Sequence, residues 1–130
     1  MVQAEGLTFD FDGTGTIRPE LLETLPYEYA GREAEIDILT DEWNCVCPFS
    51  GLPDFGTLKV RYCPGNSCLE LKSLKYYLTT FRTVGIYQEH AANRILDDLV
   101  AACAPLRMEI TLDYRLRGGL HTVVTVRHPS

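Results

Sequence analysis

No stretch of this sequence stays apolar for long enough to cross a bilayer: the longest run, Leu99 to Leu106, falls far short of the ~20 residues a spanning helix needs. Basic residues are scarce as well. The 12 Lys and Arg are outnumbered by 18 Asp and Glu, for a net charge of -6, and a field of that sign repels phosphate backbone and anionic lipid. Nucleic acid and membrane are therefore not expected as partners, although a local cationic patch could still hold a small phosphorylated cofactor. Nothing from Met1 to Gly13 reads as a basic region followed by an apolar one, so no export signal is expected. Five cysteines is an odd number, and without such a signal it points to reduced thiols in the cytoplasm rather than a disulfide framework.

What is present is globular. A chain of 130 residues, 45% hydrophobic and 23% charged, can bury one real core but not two ordinary ones. Residues 1–32 are rich in Gly, Glu, Thr and Pro without sustained periodicity, which predicts an irregular N-terminal arm with a short helical turn near Pro19 to Thr24. Residues 33–130 read as a single domain. Within the arm, Phe9-Asp10-Phe11-Asp12-Gly13-Thr14 resembles the aspartyl-nucleophile motif of haloacid-dehalogenase-type phosphatases. That chemistry needs a parallel strand ahead of the motif and alternating strands and helices behind it; neither pattern is there, so the segment reads as an acidic, Gly-rich loop.

Ala34, Ile36 and Ile38 alternate with Glu33, Glu35 and Asp37, the period of a strand with one wet face. Leu58, Val60 and Tyr62 against Lys59 and Arg61 predict a second strand over Thr57 to Tyr62, with a Cys47 to Asp54 loop between the two. Pro64-Gly65-Asn66-Ser67 breaks the chain, and Ser67 with Glu70 three residues on predicts a helix cap. The helix would turn Leu71, Leu74, Leu78 and Phe81 to the core and end at Gly85. A second helix, from about Tyr87 to Ala104, would bury Ile95, Leu99 and Cys103, keep Asp97 and Asp98 outside and stop at Pro105. Two alternating runs, Met108 to Leu116 and Leu120 to Val126, meet at Gly118-Gly119 and predict an antiparallel hairpin. The expected fold is α+β in the order ββααββ, a four-stranded antiparallel sheet with two helices packed on one face. Its open edges invite partner subunits.

The chemistry concentrates between Asn44 and Glu89. In Cys47-Pro-Phe-Ser-Gly-Leu-Pro-Asp54 a thiol and a carboxylate return to each other within a Gly/Pro turn. If they meet, the two should share one proton rather than lose both, and Asp54 could take the thiol proton during attack and return it as a general acid. A buried structural cysteine beside a turn-capping Asp explains the same residues. Cys45, Cys47, Cys63 and Cys68 offer four thiols, but the 45/47 pair is spaced more tightly than zinc sites prefer, so no metal is expected. Glu70 to Tyr77 reads by itself as a cationic, solvated helix face.

Taken together, Cys47-Pro-x-x-Gly-x-Pro-Asp54-Phe, then Glu70-Leu-Lys-Ser-Leu-Lys-Tyr-Tyr77, then Phe81-Arg82 and Glu89 resemble the 7-cyano-7-deazaguanine reductases of queuosine biosynthesis, nitrile reductases of the tunnelling fold. The resemblance runs from about Thr16 to Arg127. It implies that Cys47 attacks the nitrile carbon to give a covalent thioimide, that Asp54 supplies the proton to nitrogen, and that two NADPH are consumed in succession. It implies that Glu89 anchors the purine edge, with Gln88 beside it where some relatives carry His. Glu70 and Ser73 are implied in substrate binding, and Lys72, Ser73, Lys75 and Arg117 in holding NADPH. The implied substrate is a small 7-deazapurine nitrile, and the implied assembly is one of stacked rings, with sites shared between subunits, in the cytoplasm. Two other readings stay open: a tunnelling-fold amidinotransferase acting on the nitrile base in tRNA, which needs no Glu70 to Tyr77 segment, and a non-catalytic purine-binding module. Tunnelling-fold cyclohydrolases are further away, because histidines 90, 121 and 128 do not assemble the metal or His set they need.

Overall fold

The structure, a computed structural model, describes residues 3–130; the first two residues of the expected arm lie outside the described residues. Six strands and two helices follow two short 3-10 turns at Thr14–Thr16 and Pro19–Leu21: β1 (Thr24–Pro26), β2 (Ile36–Val46), β3 (Pro53–Cys63), β4 (Ser67–Leu69), α1 (Leu71–Thr79), α2 (Gln88–Cys103), β5 (Arg107–Tyr114) and β6 (Val123–His128). The class is α+β. A four-stranded antiparallel sheet runs β2-β3-β5-β6, and β1 pairs with β4 in a separate two-stranded ribbon. The helices thus follow four strands rather than two, because the arm folds back as β1 on the segment expected to cap the first helix.

One face of the sheet is apolar and one is charged. Leu58, Val60 and Tyr62 of β3 and Met108, Ile110, Leu112 and Tyr114 of β5 are buried at alternate positions, as the side-chain period of two requires. The opposite face carries ion pairs such as Arg61 with Asp37 and Arg127 with Glu109, exposed enough to add little stability. The apolar face is covered by α2, which packs across β5 and β6 through Ala91, Ala92, Ile95, Leu96, Leu99 and Cys103. At the other side, Tyr77 of α1 meets Phe81 edge-on and Phe81 meets Trp43 of β2. The α2 stripe matches its helical period, and Ala104 ends it in the left-handed region just before Pro105.

Strand β2 is longer than expected because its alternation changes phase partway. Thr40 pairs with Leu58 but Trp43 pairs with Gly56, so β2 carries one extra residue there, a β-bulge. Ahead of it Ile36 and Ile38 turn inward; beyond it Trp43 and Cys45 do. Asp54, expected in the loop, is instead in β3, paired with Cys45.

Four further expectations are corrected. Glu70, not Ser67, caps α1: its carboxylate accepts the backbone N–H groups of Lys72 and Ser73, both at 2.8 Å, while the Ser67 hydroxyl donates to the Cys103 carbonyl. The helix ends at Thr79 rather than Gly85, and Phe81 enters the core from the turn that follows. Leu71, at the first helical position, is 60% exposed. Asp98 is not outside but half-buried, accepting from the Tyr77 hydroxyl at 2.6 Å and from Arg94 at 2.8 Å, and so ties α1 to α2.

Two consequences can be measured. Leu99→Ala, emptying a site of 0% exposure, should lower unfolding stability by about 2–5 kcal/mol in denaturant titration. The N–H groups of Lys72 and Ser73 hold the Glu70 carboxyl below its ordinary range. Its contribution is therefore present above the unfolded pKa and lost as pH falls through the folded one, so the melting temperatures of wild type and Glu70→Ala should differ at neutral pH and converge in acid.

Candidate active site

Cys47 opens the turn between β2 and β3, Asp54 lies at the start of β3, Gln88 and Glu89 begin α2, and Arg117 comes from the β5–β6 hairpin. With Pro48 and Tyr87 they line one cleft of about 210 Å³. Each arrives for a local reason. Beyond the bulge the odd-numbered residues of β2 face inward, so the strand exits with Cys47 on the side where Trp43 and Cys45 are buried. Asp54 extends the inward row of Gly56, Leu58, Val60 and Tyr62 on β3 and is only 6% exposed. The start of α2 is fixed to the Cys47 turn by a parallel bridge between Val46 and Gly85, in which Val46 N–H donates to the Val84 carbonyl at 3.0 Å and Ile86 N–H to the Val46 carbonyl at 3.2 Å. Gly118 and Gly119, both at positive φ, make the tight hairpin turn that presents Arg117.

The Cys47 turn is closed by its own backbone: Cys47 N–H donates to the Leu52 carbonyl and Gly51 N–H to the Cys47 carbonyl, both at 2.8 Å. Burial alone would push the Cys47 thiol up. Backbone N–H groups of Ser50 and Phe49, the Ser50 hydroxyl and the charge of Arg117 outweigh it and leave the thiol below its ordinary value, the condition of a reactive cysteine. Cys45 is the opposite case, pushed up to about 12 by burial and then by the charge of Asp54. Arg117 donates from Nη1 to Asp54 Oδ1, an ion pair with 44% of the arginine side chain exposed but only 7% of the aspartate. Sequence reasoning placed Arg117 near a cofactor and missed this pairing; the only signal for it was an arginine immediately before a Gly-Gly turn.

The remaining expected residues are elsewhere. Glu70 caps α1, and Ser73 is buried with its hydroxyl accepting the Glu23 N–H at 2.9 Å and donating to the Glu70 carbonyl at 2.8 Å. Lys72 lies 5.9 Å from the Tyr76 ring centroid. Lys75 lines a different, larger groove of about 430 Å³ between α1 and β2, with Arg82, Trp43 and Leu71 among its walls. None of the ion pairs among the described residues uses Lys72 or Lys75. The groove thus sets Lys75 and Arg82, with Glu42, beside apolar walls, and its two cations suit a phosphorylated nucleotide. Among the described residues no cluster of His, Cys, Asp and Glu has the geometry of a metal site, and no helix is long and apolar enough to cross a membrane.

Comparison with known proteins places the chain among relatives of one kind. The family model described as QueF-like protein matches residues 53–130. The NADPH-dependent 7-cyano-7-deazaguanine reductase of Caldicellulosiruptor bescii is 49% identical over 120 residues, covering 92% of this chain and 92% of that protein. The enzymes of the same name from Anaeromyxobacter sp. (strain K) and Chloroherpeton thalassium are 52% and 48% identical, covering 82% and 88% of this chain and 88% and 98% of theirs. Among solved structures, that of the archaeosine synthase QueF-Like in the apo form superposes with a TM-score of 0.64 at 22% identity, over 73% of this chain and 91% of that one.

The cleft makes a chemical prediction independent of any substrate. Thiolate is the reacting form, so a lowered pKa means that alkylation of Cys47 by iodoacetamide should rise with pH through an inflection below the ~8.5 of a free cysteine. Arg117→Ala should move that inflection upward. Peptide mass mapping should show Cys45 unmodified across the same range.

Proposed function

The chain belongs to the QueF-like protein family, and we propose that it is an NADPH-dependent nitrile reductase that converts 7-cyano-7-deazaguanine to 7-aminomethyl-7-deazaguanine in queuosine biosynthesis. The observation that carries the reading is the convergence of Cys47, Asp54, Gln88, Glu89 and Arg117 from separate elements on one cleft. A nucleophile, a proton carrier and an anchor are the groups such a reaction asks of the protein.

In this reading Cys47 Sγ bonds to the nitrile carbon as the C≡N bond becomes C=N, giving a thioimide. Asp54 takes the thiol proton and passes it to nitrogen. Its Oδ1 carries the Arg117 hydrogen bond, so Oδ2 is the atom that exchanges the proton. Glu89 accepts the N–H groups of the guanine-like edge in bidentate form, and Gln88 adds a hydrogen bond beside it. Nitrile to amine takes two hydrides, which NADPH would supply when bound, and two further protons; the C–S bond breaks after the first hydride, Cys47 leaves as thiolate and takes one proton, and the second proton goes to nitrogen. Lys72 and Lys75 hold the NADPH phosphates, and Glu70 and Ser73 keep α1 in place by the cap and by the bond to Glu23.

The proposal keeps the expected division, with residues 33–130 as the catalytic domain, of tunnelling-fold type, and the preceding residues as an arm. At about 210 Å³ the cleft is smaller than the ~300–1,000 Å³ typical of ligand pockets, and the α1 groove shares no lining residue with it. Both fit a site completed by a second subunit, and β2 and β6, the outer strands of the sheet, offer edges for association into stacked rings. A small-molecule substrate, no nucleic acid or membrane partner and a cytoplasmic location complete the proposal.

The test is loss of NADPH absorbance in the presence of the nitrile. Cys47→Ala should abolish it together with the adduct seen by mass without NADPH, and Asp54→Asn should slow both. Glu89→Gln should weaken nitrile binding by ~1.5–3 kcal/mol, the scale of a hydrogen bond to a charged group, measured by calorimetry. Replacing Lys72 and Lys75 together with Ala should raise the KM for NADPH and leave the adduct intact. An adduct without NADPH oxidation in the wild type would favour an amidinotransferase instead.

A further inference from the structure

The segment Phe9 to Asp12, set aside above as an acidic loop, crosses both pieces of chain that carry the cleft. At one end Phe9 N–H donates to the Ser50 carbonyl at 2.8 Å, inside the Cys47 turn. At the other, Asp12 bridges Val84 in parallel: Asp12 N–H donates to the Thr83 carbonyl at 2.8 Å and Gly85 N–H to the Asp12 carbonyl at 2.9 Å. The Thr83 hydroxyl donates to the Asp12 carboxylate at 2.6 Å. Gly85 is also the residue bridged to Val46 on its other side. The backbone therefore closes a ring: Cys47 turn, Val46, Gly85, Asp12, Phe9 and back to the turn.

Two glycines are shaped to this arm. A Cβ on Gly51, whose φ is +74°, would lie 2.1 Å from the Phe9 carbonyl oxygen, and one on Gly85 would lie 2.3 Å from the Phe11 ring. One arm residue lies against the nucleophile turn and the other against the lead into α2. Yet Phe9 and Phe11 are 55% and 40% exposed and neither belongs to the buried core, so core packing does not account for these contacts.

We propose that residues Phe9 to Asp12 are a positioning strap that fixes the separation of Cys47 from Gln88 and Glu89, so that a substrate anchored at one presents its electrophilic carbon to the other. This rests on the reductase reading of the cleft and adds to it a requirement for the arm. None of the strap residues touches the reacting atoms. The strap acts only when a reaction uses nucleophile and anchor together, since misplacement by ~1 Å can cost about a hundredfold in rate. Alkylation by iodoacetamide, which needs no anchor, depends on the thiol alone.

The test uses the full chain with Phe11→Ala, Phe11→Leu and Gly85→Ala, and the double variant Phe11→Ala/Gly85→Ala. Three quantities are read: the rate of adduct formation at saturating 7-cyano-7-deazaguanine without NADPH, the rate of iodoacetamide alkylation at Cys47, and the melting temperature. Phe11→Ala and Gly85→Ala should each slow the adduct about tenfold or more while alkylation stays within about twofold of wild type. Phe11→Leu should recover most of the rate, and the double variant should be no slower than the worse single one, because both changes break one contact. Adduct rates equal to wild type in both single variants would overturn the strap, as would adduct and alkylation rates falling together with the melting temperature. A wild-type protein that forms no adduct at Cys47 would instead defeat the reading of the cleft, a result distinct from either.

Discussion

The extra residue that β2 carries between Thr40 and Trp43 sets which face everything downstream occupies. Side chains of a strand alternate with a period of two, so one inserted residue exchanges the faces from that point on. Without it, the row that begins with Ile36 and Ile38 would put even-numbered residues inward to the end of the strand, and Cys47 would leave on the charged side. With it, Trp43 meets Phe81 in the core, Cys45 pairs with Asp54 across the ladder, and the thiol leaves the sheet on the side where α2 begins. That Cys47 and Asp54 line one cleft is a consequence of strand register before it is a consequence of any loop.

This explains which parts of the fold could be read in advance. Helix α2 was legible almost to the residue, because Ile95, Leu99 and Cys103 repeat at helical spacing and Pro105 terminates them. The cores of β3 and β5 were legible from clean alternation. The full lengths of β2 and β3 were not: the phase change hides the alternation in one, and in the other a buried aspartate occupies a position that a pattern search expects to be apolar. Strands β1 and β4 have three residues each, too few to show any period. The cap of α1 was misassigned because Ser67 and Glu70 have the spacing of a capping box, whereas Ser67 is held in β4 by pairing with Pro26 and Glu70 does the capping itself.

Of the site, the thiol and carboxylate about one turn stood out as a pair that could meet but read equally as structural, and Gln88, Glu89 and Arg117 were singled out only by the resemblance of the combined motifs; the structure places all five on one cleft. Ser73 shows where motif reading stops. Its hydroxyl is consumed by the arm and by the backbone of its own helix, a fact that depends on where β1 pairs and that no local pattern encodes. The aspartyl motif at Phe9 to Thr14 is the reverse case. Its residues match a phosphoryl-transfer signature, but the backbone around them bridges a loop instead of leaving a parallel strand, and the chemistry of a motif is available only in the backbone context that aims it.

Fold similarity does not decide among the functions open to such a chain, since one solved structure that superposes on it, at 22% identity, is that of an archaeosine synthase. What separates a hydride-consuming enzyme from one that is not is whether the chain keeps a place for a phosphorylated nucleotide, and in a molecule of net charge -6 that place must be built against the prevailing field. Lys72 and Lys75 are three residues apart and so share one face of α1, and Arg82 lies in the same groove as Lys75. The acidic side chain nearest in sequence to these lysines, Glu70, has its carboxylate turned to the N–H groups of the helix N-terminus, and the groove itself also carries Glu42. Lys72, Lys75 and Arg82 form no ion pair among the described residues, and such cations attract a compact polyanion over a short range set by the ~8–10 Å Debye length, while an acidic surface repels an extended one. On the proposed function, the same arrangement suits a dinucleotide better than a tRNA, which is the choice that distinguishes reduction of a free nitrile from modification of one already attached to RNA.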